Sequence, residues 1–283
     1  MKHDISTTIA QLATDEVQFD EKATPFDVTA AVDDLFDLAD QVSSCPPLEI
    51  IVDTISSIGV LDDVEQSRPS SFYALSHGAL LQTALAGVEI PTDDARPLLA
   101  GILPAALEAG RSTGAKDTNI LRSTAIGLTA AIRVRELLSA DKLRPWDPLG
   151  LVQGIGAAIA AAHGLGLDAQ QSLHALGIAS TQATGTQQAQ GTDAAIVLTG
   201  LGSANGLEAA VLAAHGIDGP AKPIDGRRGL LAVMHPDAED SISEAYAEIL
   251  HQAETAPVYW TPRDKPTTVL RDRYVKQLRA YLR

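Results

Sequence analysis

Two stretches, residues 149–167 and 196–214, are long, nearly uncharged and rich in Ala and Gly. Their length raises the question of membrane spans, but their Gly, Ala, Gln, Asn and His content makes them poor ones. Buried core helices are the reading adopted. Aromatic residues make up only 4% of the chain, so the core must form by close approach of small-faced elements rather than by large rings. Helices do this more readily than sheets.

The rest of the chain keeps the same period. Thr24 before Pro25 reads as an N-cap with proline at the first helical position, opening an amphipathic helix through Val28, Val32, Leu35 and Leu38. Pro46 and Pro47 break the chain. Residues 48–58 then have helical spacing and stop at Gly59, which can take the left-handed conformation past a helix end. Further helices are expected over 71–85, 96–109, 117–139 and 148–163. Asp168 and Gln171 have the spacing of a capping box, opening a helix over 169–183, and another follows over 193–215. Two Ala-Ala-His-Gly endings, at His163-Gly164 and His215-Gly216, read as histidines meeting negative helix ends, with glycine as the cap, rather than as a catalytic pair. Helices over 237–252 and 267–282 are expected to follow, separated by a loop with Pro257, Pro262 and Pro266. No alternating β-branched run reaches strand length, so the fold class is all-α.

At 283 residues the chain can bury roughly 75% of its unfolded surface, which suits one large domain without staples. The net charge of −15, with no Lys/Arg stripe, argues against nucleic acid and against an anionic membrane. The single cysteine, Cys45, excludes an internal disulfide framework and fits a reducing, cytoplasmic setting. No signal peptide is apparent at the N-terminus, and residues 1–23 read as a loosely held acidic arm. Gly154-Ile155-Gly156 and Gly200-Leu201-Gly202 lack the strand and third glycine of a dinucleotide fingerprint, and read as small faces where helices pack. Signatures for phosphoryl transfer, zinc hydrolysis and serine hydrolysis are missing, and the seven histidines are scattered, so no metal site is expected.

The segment from Gly156 through His163-Gly-Leu-Gly-Leu-Asp168, then His174-Ala-Leu-Gly-Ile-Ala-Ser180 and Gln182-Ala-Thr-Gly185, closely resembles the MmgE/PrpD family, which includes 2-methylcitrate dehydratase and cis-aconitate decarboxylase. Residues 206–220 and Asp225-Gly-Arg-Arg-Gly-Leu230 look like the family's next helix and loop; the likeness covers roughly residues 50–232. It implies an all-α domain, usually a homodimer through its helices, with a pocket completed by a smaller α/β lid. It also implies cofactor-independent chemistry on small di- and tricarboxylates, which needs cationic donors for the carboxylates and a base at an acidic carbon.

The chain departs from that pattern at the positions that should matter most. A family run of His-Ala-Leu-Asp-Phe-Asp-Asp corresponds to residues 82–88 here, without the histidine or the acids. Arg96-Pro97 stands near a family His-Pro. Asp147 stands where a histidine belongs in Gly-Phe-His-Pro-Thr-Gly, and Ala195 and Leu198 replace the lysine and histidine of Lys-Arg-Leu-His-Pro-Gly. About fifty residues follow Leu231, too few for the lid, and read as helices packing on the same domain. The expected organisation is therefore an arm over 1–23, a helical domain over 24–232 and C-terminal helices over 233–283.

Two functions remain open from the sequence. One is a repurposed lyase-, isomerase- or cyclase-type enzyme acting on a small, less charged substrate in an apolar pocket. Asp147, His77 and Tyr73 would then be catalytic candidates, and Gln82, Arg96, Trp146, Asp193, Ala195, Leu198 and Asn205 candidate substrate contacts. The other is a catalytically silent relative that binds a partner or acts as a scaffold. Residue by residue the structural reading competes: Asp147 and Asp193 as helix caps, His77 satisfied in the core, Tyr73 and Asn205 bonded to backbone.

Overall fold

The computed structural model describes residues 4–14, 27–57, 68–86, 88–91, 94–138, 146–234 and 270–281. Its helices are α1 (Ile5–Gln11), α2 (Val28–Ala39), α3 (Pro46–Ser57), α4 (Ser71–Leu85), α5 (Arg96–Thr113), α6 (Asp117–Leu138), α7 (Pro148–Leu165), α8 (Ala169–Ser180), α9 (Asp193–Ala214), α10 (Leu230–Met234) and α11 (Leu270–Tyr281). Among the described residues there is no strand; an isolated antiparallel bridge pairs Trp146 with Thr186. The fold is all-α.

Short polar side chains start many of these helices. Asp27, Ser70, Asp147 and Asp168 each accept a hydrogen bond from a backbone N–H in the first turn, satisfying donors that have no partner within the helix. At Asp168 the capping box is complete, with Gln171 Oε1 accepting from the Asp168 N–H at 3.2 Å. Glycine ends α5 and α7, where Gly114 and Gly166 sit at φ +67° and +72°.

Several boundaries differ from the sequence reading. α2 is capped by Asp27, while Thr24 and Pro25 lie outside the described residues. Pro46 and Pro47 do not precede α3 but form its first turn, where a missing N–H is harmless. α7 runs past Gly164 to Leu165, and α9 is preceded by Thr192, so Asp193 is its first residue rather than its cap. Gly59, the expected helix 237–252 and the proline-bearing loop all fall outside the described residues.

The expected loose arm contains α1, and α1 is docked. Ser6 Oγ donates to Asp225 Oδ1 at 2.5 Å and accepts from the Ile224 N–H at 3.1 Å, while Ile5, Ile9 and Ala10 are buried. The tie joins residues more than two hundred positions apart, which is why local composition did not reveal it.

α7 packs against α5, α6, α8 and α9, and α9 also lies along α4. Small residues permit these crossings: a Cβ on Gly206 would overlap the Cβ of Ala157, and one on Gly127 would overlap the Gly156 carbonyl of α7. The glycine pairs that failed as a nucleotide fingerprint are helix-packing faces. α7 and α9 are long and apolar enough to cross a membrane by length and composition, with mean hydropathy 1.3 and 1.4, and they cross each other within the bundle.

Candidate functional site

The N-terminal ends of α7 and α9 meet at one corner beneath the loop that joins α8 to α9. Asp147 caps α7: its Oδ1 accepts from the Leu149 N–H at 3.1 Å and its Oδ2 from Gln190 Nε2 at 2.9 Å. Its own N–H donates to the Gly185 carbonyl at 3.2 Å, beside the Trp146–Thr186 bridge. A δ-methyl of Leu198 lies against Gly150 and Gly185, and Thr199 Oγ1 donates to Gln82 Oε1 at 3.3 Å. The corner thus gathers Trp146, Asp147, Leu198 and Gln82. Ala195 is half-buried in the first turn of α9, and its carbonyl is the alternative acceptor for the one Thr199 hydroxyl proton. Asp193 is exposed in the first turn of α9, and Asn205 is half-buried further along that helix.

Each helix here carries its own acid at its positive end, Asp147 for α7 and Asp193 for α9. A carboxylate arriving from solution would meet those acids and the apolar Leu198. The one cation among the candidates is not free to receive it. Arg96 Nε and a terminal guanidinium nitrogen both donate to Asp94 Oδ2, at 2.8 and 2.6 Å. That bond to Asp94 raises the Arg96 pKa, while at Asp94 the upward push of burial is outweighed by the bonds from Arg96, which hold the carboxyl below its ordinary range.

Tyr73 and His77 are elsewhere. They lie one turn apart on α4, on the face covered by α2 and α11 rather than the face carrying Gly78 and Gln82 toward α9. His77 is fully buried; its Nε2 is 3.0 Å from Gln277 Oε1, and the Tyr274 ring meets it edge-on at 4.8 Å. Burial drives its pKa down to about 4, against the smaller upward effect of the Gln277 bond, so the imidazole is neutral. Tyr73 is buried beside the Ser70 cap. The three catalytic candidates therefore do not form one constellation.

The sequence reading missed the polar cluster next to His77. Glu108 is fully buried and accepts from the Ser70 N–H at 2.8 Å, from Tyr274 Oη at 2.6 Å, and from Arg111 Nε at 2.9 Å. A glutamate inside an apolar helix, with arginine three residues on, was the available signal. Gln190, the partner of Asp147, had no such signal: it is one of several glutamines in an exposed loop.

A cleft of about 510 Å³ lies at the far end of α7, lined by residues such as Thr113, Asn119, Arg122, Ser123 and His163; none of the predicted site residues lines it. Ser123 Oγ is 2.8 Å from His163 Nδ1 and 2.9 Å from the Asn119 carbonyl, and its one proton serves one of the two. Among the described residues no group of three or more His, Cys, Asp or Glu could hold a metal ion.

The comparisons with known proteins agree with this architecture. No curated protein matches the chain. The family model of the MmgE/PrpD N-terminal domain matches residues 97–243, just over half of the chain, a span that begins in α5 and includes Trp146, Asp147 and Leu198 of the corner. The chain belongs to the MmgE/PrpD family.

Proposed function

We propose that this chain is a non-catalytic MmgE/PrpD-type binding subunit, with the corner at the N-terminal ends of α7 and α9 as its recognition site. The observation that carries this reading is the state of Asp147. Both of its oxygens are engaged, by Leu149 N–H and by Gln190, and it is only 5% exposed, so it holds a helix end in place of abstracting a proton. His77 and Tyr73, enclosed by α2 and α11, cannot assist it. Each hydrogen-bonded charge that Ala195 and Leu198 no longer supply is worth about 1.5–3 kcal/mol, so a tricarboxylate binds weakly there. Leu201, Leu212 and Ile217, exposed at 40%, 36% and 50%, support a homodimer that uses α9 and the turn after it.

A second reading, a cofactor-independent enzyme for a less charged substrate, draws on the convergence of Asp147 and Gln190 with Leu198 at that same corner. Proton NMR in D₂O separates the two. The purified protein is incubated with cis-aconitate, citrate, 2-methylcitrate and their methyl esters, and turnover and solvent exchange at acidic carbons are followed. Silence throughout supports the binding subunit, exchange on the esters alone supports the second reading, and reaction with the free acids overturns both.

A further inference from the structure

The C-terminal helix meets the bundle through polar contacts unlike those elsewhere in the fold. α11 buries Leu270, Tyr274, Gln277 and Leu278. Tyr274 Oη donates to Glu108, and Gln277 Nε2 donates to Asp40 Oδ1 at 2.8 Å and to the Phe36 carbonyl at 3.2 Å. Gln277 Oε1 has then only its acceptor role left, and it takes the Nε2–H of His77. That fixes the tautomer: Nδ1 of His77 carries a lone pair, buried and without a hydrogen-bond partner.

A second proton on this ring would sit on Nδ1, facing no acceptor. The charged groups around the contact do not remedy this. Asp40, the C-terminal cap of α2, is bonded to Gln277 and Arg273, Lys276 lies on the exposed side of α11, and Glu108 on α5 is bonded to Arg111 and Tyr274. Neither carboxylate forms a hydrogen bond or ion pair with the imidazole. α11 buries four of its described residues, Leu270, Tyr274, Gln277 and Leu278, against seven on α2.

We infer that α11 is a strap that acid releases: it docks only over a neutral His77, and protonation of that imidazole selects the form in which the strap has lifted. The sign follows from the two states. With the strap down, His77 titrates at about 4; with it lifted and the ring in water, at the ordinary value near 6.5. Docking is therefore at full strength above that ordinary value and weakens as pH falls through the interval down to the docked value. Asp40 acts lower. Burial pushes its pKa up, but the bonds from Gln277 and Arg273 outweigh that and hold it below 3.8, so its contribution fades beneath the His77 interval.

Hydrogen exchange on the full chain at about pH 7.5 and about pH 5, corrected for intrinsic exchange, reads the strap directly. The opening equilibrium of α11 is expected to rise ~30-fold between these conditions while α5, α6 and α7 keep their protection. His77→Gln and His77→Phe each abolish that slope, whatever they do to the absolute level of protection. Equal α11 protection at both pH values overturns the inference. So does a slope that survives in both variants, or loss of α11 protection only together with α5–α7.

Discussion

The groove that holds α11 and the corner shared by α7 and α9 both contain the residue types of a catalytic site, yet they use them differently. In the groove, Glu108, Tyr274, His77 and Gln277 are buried and bonded to one another's helices, so the polar groups fasten a distant segment of chain. At the corner, Asp147 bonds a local backbone N–H and an exposed loop glutamine, so little beyond the first turn of α7 depends on it. Titratable groups reveal function only when a valence is left for a ligand. In the groove every such valence but the Nδ1 lone pair of His77 is committed to the fold, and at the corner both oxygens of Asp147 are committed, one to a helix end and one to a loop.

The largest test of that contrast is Glu108→Ala. It breaks the ion pair with Arg111 and leaves Tyr274 Oη and the Ser70 N–H without their acceptor at once, and breaking a buried ion pair typically destabilises by about 3–5 kcal/mol. Urea denaturation measures the loss, and a change below about 1 kcal/mol would mean the groove is no more interdependent than the corner. Tyr274→Phe keeps the ring against His77 and removes only the bond to Glu108. A loss of about 1.5 kcal/mol is expected, with the Glu108–Arg111 pair intact.

How much of this was legible in the sequence depended on distance along the chain. The Asp168–Gln171 box, the proline at the start of α7 and the small-residue crossings of α7 and α9 are local patterns, and they stand where the residues placed them. The docking of α1 rests on Asp225 and that of α11 on Phe36, Asp40, His77 and Glu108, residues remote in sequence with no shared period to announce them. The resemblance located the corner for the same reason, because its residues fall in one contiguous family motif after another. It also grouped His77 and Tyr73 with Asp147, which the helical geometry of α4 separates: the two face α2 and α11, while Gln82 faces α9.

At the corner the effects should be smaller and more local. Asp147→Ala removes a cap and the Gln190 anchor, for an expected loss of about 1 kcal/mol by urea denaturation, with hydrogen exchange rising in the first turn of α7 rather than across the bundle. A spread of lost protection to α11 would merge the two regions and undo the contrast.

Asp147→Asn sharpens it furthest with the least perturbation. Asparagine caps a helix as well as aspartate does, its side-chain carbonyl can still accept from the Leu149 N–H, and its amide donates to Gln190 once that exposed amide turns its oxygen inward, so stability should move by no more than about 0.5 kcal/mol. It has no basic carboxylate, however. If an ester of a tricarboxylate is exchanged or turned over by the native chain, and Asp147→Asn abolishes that reaction at unchanged stability, then Asp147 acts as a base and the corner is an active site. If ligand binding, thermal midpoint and α7 protection all match the native chain, the carboxylate's charge has no task there beyond the one its geometry describes, holding the first turn of a helix.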